Sequence, residues 1–196
     1  MYSNWLIEIL GLLSIEATQS NLIKDLMITP DKKNDPLNRS IAHVLELIGE
    51  GWSMLIIREA YLGTRRFEDF QKQLGIARNI LTARLKKLCQ NEILDRVPIK
   101  PGAKRHEYLL TNKGKELMPL LVALTQWGDK WVFGENSEPV TFLDRENREP
   151  IDQIKVFSAR GLQLKPRDIV IVAGPGASAE AKSRINELNV VAEKDD

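Results

Sequence analysis

The order of elements constrains this chain more than any other feature. Four short apolar helical patterns, three of them stopped by glycine, run directly into a hairpin with a basic tip. Ile41, Val44, Leu45 and Ile48 recur at helical spacing and end at Gly49. Ser53 is placed to cap a second helix over Met54–Leu62, closed by Gly63. Phe67–Leu74 reads as a third, ended by Gly75, and Arg78–Gln90 as a fourth with Leu81, Leu85 and Leu88 as its buried stripe. Ile93–Val97 and His106–Leu110 read as strands around the turn Lys100–Arg105. Thr111 or Asn112 can then cap a long last helix through Phe133. Three core helices followed by a two-stranded wing is the winged helix-turn-helix arrangement, an α+β fold.

Charge supports a function for that unit. The 196 residues carry a formal net charge of +1. Gly51–Lys115 alone holds 14 Lys/Arg against 6 Asp/Glu, while the stretches on either side are net acidic. Cations concentrated on one folding unit are the electrostatic footprint of a binder of the nucleic-acid backbone. In this topology Leu74-Gly75-Ile76-Ala77 is the turn and Arg78–Gln90 the recognition helix. With its leucines facing in, Arg78, Asn79, Thr82 and Lys86 face out near its start, where side chains reach base edges in a major groove. Thr64, Arg65 and Arg66 precede the helix-turn-helix, Arg84 and Lys87 flank the recognition helix, and Lys100, Lys104 and Arg105 crown the wing. These are the expected phosphate contacts, which set register and much of the affinity. Singly, Arg84, Lys87 and Lys100 read better as solvated surface charges than as phosphate contacts. Together, the basic groups fall at three places that this topology brings to one surface.

The flanks divide the chain further. Residues 1–34 read as a helical extension that packs on the main domain or on a second copy, with helices over Asn4–Thr18 and Ser20–Met27 and a break at Thr29-Pro30-Asp31. Leu6, Ile9, Leu10 and Leu13 share one side there and need a surface to cover. Residues 35–134 form the winged unit with its C-terminal dimerisation helix. Residues 135–196 read as a small strand-rich appendage: Val140–Leu143, Lys155–Ser158 and Ile169–Val172 as short strands, Ala173–Ala177 as a break, Glu180–Leu188 as a final helix.

Several functions are disfavoured. The single cysteine, Cys89, excludes an intrachain disulfide and a multi-thiolate zinc site, and fits a reducing, cytoplasmic setting. Trp5–Ile15 is interrupted by Glu8 and lacks a basic start, so neither a secretory signal nor a membrane span is expected. His43 and His106 have no ligand-spaced companions, so no metal is assigned. Gly174-Pro175-Gly176 lacks the rest of a phosphate-loop pattern and reads as a turn. No nucleophile, base and orienting group can be argued together, so no enzyme and no cofactor are expected. Cys89, beside the leucine stripe, reads as a small core residue rather than a redox sensor. Trp127 and Trp131, spaced i, i+4 near Leu120, Leu121 and Leu124, read as core or dimer packing, with a ligand pocket the rarer use.

The motifs themselves resemble a known family. Leu45-Glu46-Leu47-Ile48-Gly49-Glu50-Gly51-Trp52, Leu55-Ile56-Ile57-Arg58-Glu59-Ala60 and Arg65-Arg66-Phe67 are similar to the HxlR family of bacterial winged-helix transcriptional regulators. So are Gly75-Ile76-Ala77-Arg78-Asn79-Ile80-Leu81-Thr82-Ala83-Arg84-Leu85, Glu107-Tyr108-Leu109-Leu110-Thr111-Asn112-Lys113-Gly114 and Trp127-Gly128-Asp129-Lys130-Trp131. The resemblance covers about half the chain, Ile41–Trp131, and the tail looks like the appendage of longer members. It implies a homodimer on a palindromic stretch of double-stranded DNA, with the N-terminal and last long helices at the dimer contact. A small-molecule effector of unknown identity is compatible with such a role. Two departures stand out. Where many members carry a cysteine before the first core helix, some of them sensing oxidants or electrophiles, this chain has Arg39, so thiol sensing there is not available. Where many cap the recognition helix with Ser, it has Ala77, at a cost of roughly 0.5–2 kcal/mol in local capping. The competing reading is a winged helix used for protein interaction without DNA; the polar set Arg78, Asn79, Thr82 and Lys86 argues against it.

Overall fold

The computed structural model describes residues 39–134 and 137–192. The helices expected over Asn4–Thr18 and Ser20–Met27 lie outside the described residues. The chain divides into two compact units, one formed by Leu45–Val170. Residues 39–44 and 171–192 are the described part of the other. In chain order the elements are α1 (Arg39–Ile48), α2 (Gly51–Tyr61), α3 (Phe67–Leu74), α4 (Arg78–Gln90), β1 (Leu94–Pro98), β2 (His106–Leu110), α5 (Asn112–Lys115) and α6 (Met118–Gly128). A π-helical turn, Asp129–Phe133, continues α6; a 3-10 turn, Pro166–Asp168, and α7 (Ala179–Ala192) follow.

The larger unit is built around one apolar core. Ile56 and Ile57 of α2, Phe70 of α3, Leu81, Leu85 and Leu88 of α4, and Ile93 and Leu94 at the wing are all buried, joined by Ile48 and Ile76. The leucine stripe of α4 is therefore the inner face, as its spacing requires. Gly75 ends α3 with φ +62°, a left-handed conformation that a side chain would strain. β1 and β2 pair antiparallel with Leu94 opposite Leu110 and Pro98 opposite His106. Phe70 meets Tyr108 edge-on at 6.4 Å, seating the wing on α3. The Tyr61 hydroxyl donates to the Gly114 carbonyl at 2.9 Å and ties α2 to the segment after the wing.

Some local expectations are corrected. Ser53 does not cap α2. The helix begins at Gly51 after Glu50, and Ser53 is buried within it. Thr111 does cap, accepting from the Gly114 amide at 3.0 Å, but only the short α5. The long last helix is interrupted before Met118, because Pro119 cannot donate an amide and sits where a first turn tolerates that loss. The three strand-like runs of the tail form no strand. Among the described residues there they make two isolated bridges, Leu143 with Pro150 and Phe157 with Gln163. Val140, Val156, Val170 and Val172 stay exposed. Strand propensity needs a face to bury and a partner along its length, and these runs stay exposed and pair at single bridges at most. Glu180–Leu188 does lie in a helix, within the longer α7.

Gly114 shows how closely the unit is packed. A Cβ there would lie 2.2 Å from the Ile93 carbonyl oxygen, backbone that cannot step aside, whereas one at Gly128 meets nothing within 4 Å. Gly114→Ala is expected to lower the thermal midpoint clearly, at roughly 2–4 °C per kcal/mol lost. Gly128→Ala is expected to leave it unchanged or raise it, because alanine favours the helix. Scanning calorimetry of the two variants checks this.

Candidate nucleic-acid interface

The outer face of α4 carries the residues its inner leucines leave free. Arg78, Asn79, Thr82 and Lys86 are all exposed. The Thr82 hydroxyl donates to the Arg78 carbonyl at 2.8 Å, which commits its proton to the helix and leaves its lone pairs and methyl outward. Ala77 precedes the helix in an extended conformation and offers no capping oxygen. The Arg78 guanidinium lies over the Phe67 ring, 5.1 Å from its centroid.

The segment before α3 is held against the wing by backbone. The Tyr108 amide donates to the Arg65 carbonyl at 2.8 Å, and Arg66 and Glu107 form an antiparallel bridge. The Arg66 Nε also stands 3.7 Å from a Glu107 carboxylate oxygen. Arg65 and Arg66 thus become a third edge of the hairpin and are carried next to its basic tip. At that tip Gly102 takes φ +75°, and Lys100, Lys104 and Arg105 are exposed. A cleft of about 540 Å³ lies between α3, the start of α4 and the wing, and Arg66, Arg78, Arg96, Lys104 and Arg105 all line it. The carboxylates of Glu68 and Asp69 share the same wall.

The geometry sorts the sequence candidates. Arg66, Arg78, Lys104 and Arg105 share the cleft. Asn79, Thr82 and Lys86 continue from Arg78 along the exposed face of α4. Thr64 turns inward, its hydroxyl 3.3 Å from Glu59, a buried carboxylate that also takes a 2.8 Å bond from Arg58. Arg84 and Lys87 both pair with Glu50 just before α2, Lys87 at 3.2 Å, so they brace α4 against α2. Arg96 is the residue the sequence reading missed. It stands opposite Tyr108 in the hairpin, and its Nη2 is 3.1 Å from His106 Nδ1. The same Nδ1 is 3.0 Å from the Lys104 carbonyl oxygen; guanidinium can only donate and a carbonyl only accept, so the two contacts belong to different tautomers of the ring. The available cue was parity: Arg96 shares the strand face of buried Leu94, which turns a cation toward the helices rather than away from them.

Among the described residues no group of three or more His, Cys, Asp or Glu could hold a metal, and no single helix is long and apolar enough to cross a membrane. Gly174-Pro175-Gly176 is a turn, with the Ala177 amide donating to the Gly174 carbonyl. Arg39, where the resemblance places a sensing cysteine in other members, is exposed at the start of α1. Trp127 and Trp131 are 64% and 65% exposed and Leu124 is 51% exposed, so this stripe is not core. Lys130 sits over the Trp131 ring at 5.0 Å. The Gln126 carboxamide beside them is held by the tail, donating to the Asp152 carbonyl at 3.1 Å and accepting from the Ile154 amide at 2.8 Å.

Cys89 packs against the core, and burial, outweighing the attraction of nearby Arg96, raises its thiol above the ordinary value. Burial likewise raises Tyr61 and Tyr108. A raised acid binds its proton more tightly in the folded state. The stability this confers is present below the ordinary thiol and phenol values and is lost as pH climbs through the raised ones. Chemical denaturation is expected to show stability falling across that alkaline range, and native Cys89 to alkylate far more slowly at neutral pH than in the unfolded chain.

A family model described as HxlR-like helix-turn-helix matches residues 47–136. The uncharacterized HTH-type transcriptional regulator Rv3095 of Mycobacterium tuberculosis is 36% identical over 144 residues, spanning 74% of this chain and 91% of that protein. The HTH-type transcriptional regulator sll1512 of Synechocystis, also uncharacterized, is 35% identical over 99 residues, 50% of this chain and 73% of its own. Among solved structures, the candidate transcription factor PA1607 is 40% identical with a TM-score of 0.64, covering 68% of this chain and 94% of that one. PA1374 of Pseudomonas aeruginosa, another candidate transcription factor, is 34% identical with a TM-score of 0.56, covering 76% of this chain and 99% of its own.

Proposed function

Because this chain belongs to the HxlR-like helix-turn-helix family and is a DNA-binding transcription regulator, we propose that it acts as a homodimer on a palindromic operator. In this reading α4 enters the major groove and the wing follows the backbone. The observation that carries it is the basic cleft shared by Arg66, Arg78, Arg96, Lys104 and Arg105, open beside the polar face of α4. We assign base reading to Arg78, Asn79, Thr82 and Lys86, and phosphate contact chiefly to Arg65, Arg66, Lys100, Lys104 and Arg105. Arg84 and Lys87 take a smaller share, since Glu50 already offsets part of their charge. Thr64 serves mainly to hold Glu59. The working unit in this assignment is residues 35–134, flanked by the extension 1–34 and the appendage 135–196. The role is non-catalytic and its setting the cytoplasm.

Cation-phosphate contact releases counterions, so affinity must fall steeply with salt. Titration of the upstream regions of the gene and its neighbours at several salt concentrations is expected to find at least one tight, salt-sensitive site. No salt-dependent binding anywhere would remove the regulator reading. Asn79→Ala is expected to relax base preference at one position per half-site. Lys104→Ala is expected to weaken all sequences alike and to reduce the salt slope by about 1.

The dimer is supported by apolar surface that the described residues leave uncovered. Leu124 and Trp127 at the end of α6, and Trp131, Val132 and Phe133 in the π-helical turn after it, are all exposed, and neighbouring exposed apolar residues mark interaction surfaces. Trp131→Glu is expected to shift the protein toward monomer in sedimentation velocity and to weaken operator binding. A dimer of unchanged strength would exclude this stripe from the contact.

A further inference from the structure

The Arg78 guanidinium is not a free arm at the head of α4. It stacks on Phe67, 5.1 Å from the ring centroid. Phe67 is itself anchored: it opens α3 and is partly buried against the apolar core. Amides of Asp69 and Phe70 bond to the Arg66 carbonyl and fix the turn that presents the ring. Ala77, the residue before α4, has no side-chain oxygen that could draw the guanidinium away. The guanidinium carbon lies over the ring, and a planar guanidinium carries its N–H donors at its edges.

We propose that Phe67 is a positioning residue for base choice, holding Arg78 in the orientation in which its fork meets a guanine edge in each half-site. This rests on the regulator reading above. Arginine loses rotamer freedom when it binds, and a cation already stacked on an aromatic face has lost part of that freedom beforehand. The fork then meets guanine O6 and N7 together, a geometry lysine cannot supply. Phosphate contacts do not pass through Phe67, so the salt slope is independent of it.

The test uses the full chain and a randomised duplex pool, followed by titration of the enriched duplex with 7-deazaguanine placed at each guanine in turn. Wild type is expected to lose about tenfold in affinity at one guanine per half-site. Phe67→Leu is expected to shrink that penalty by about two- to fivefold with an unchanged salt slope. Phe67→Tyr should retain it, and in an Arg78→Ala background Phe67→Leu should change nothing further. Phe67→Trp, which offers a stronger cation-binding face, should sharpen the preference, and it answers the question even if the leucine variant fails to fold. An undiminished penalty in Phe67→Leu, equal losses in the tyrosine and leucine variants, or a tryptophan variant no sharper than wild type each overturns the role of Phe67. An enriched duplex insensitive to every guanine substitution also overturns it and leaves the regulator reading intact. Failure of wild type to enrich any duplex overturns both.

Discussion

Burial of three leucines on one side of α4 is the constraint on which the rest depends. Leu81, Leu85 and Leu88 are held in a core with Ile56, Ile57 and Phe70. Each fully buried leucine contributes about 1.5–3 kcal/mol, enough to fix the rotation of the helix about its own axis. Once that rotation is fixed, Arg78, Asn79, Thr82 and Lys86 fall on the exposed side of the helix, with Arg78 at its head over Phe67. The functional surface is thus the complement of the core stripe. A one-residue error in the stripe would bury a cation and expose a leucine together.

Backbone pairing does for the wing what leucine packing does for the helix. The Tyr108 amide bonded to the Arg65 carbonyl brings a loop distant in sequence onto the hairpin, and Phe70 against Tyr108 anchors the pair from below. Neither contact involves a charge. The cations of Arg66, Lys104 and Arg105 are gathered by apolar and amide contacts strong enough to outweigh their mutual repulsion, which solvent and salt screen at an exposed surface. Carboxylates moderate the rest: Glu107 beside Arg66, Glu50 between Arg84 and Lys87. The result is a positive face with defined edges rather than a uniformly basic domain.

The apolar residues beyond α6 follow another logic. The stripe ending in Trp127 and Trp131 has helical spacing, yet it is not covered within the larger unit. The tail answers it with two backbone bonds to Gln126, polar contacts that position a segment without burying much area. Residues 137–170 keep their valines and isoleucines outward and form bridges instead of strands. Alternation and β-branching mark a segment as able to pair; they do not supply the partner.

Periodicity and turn chemistry alone determined the four helices of the winged unit, the hairpin and the outward set on α4, because these depend on spacing within a few residues. Leu81, Leu85 and Leu88 and the glycine at residue 75 are legible by counting. What counting could not reach was decided by contacts between distant segments. Arg65 pairs with β2, Arg96 stands beside His106, Arg84 and Lys87 are claimed by Glu50, and Phe67 lies under Arg78. Local sequence sets which face of an element is apolar. Which charge meets which partner depends on where the chain returns in space, and only the folded structure holds that information.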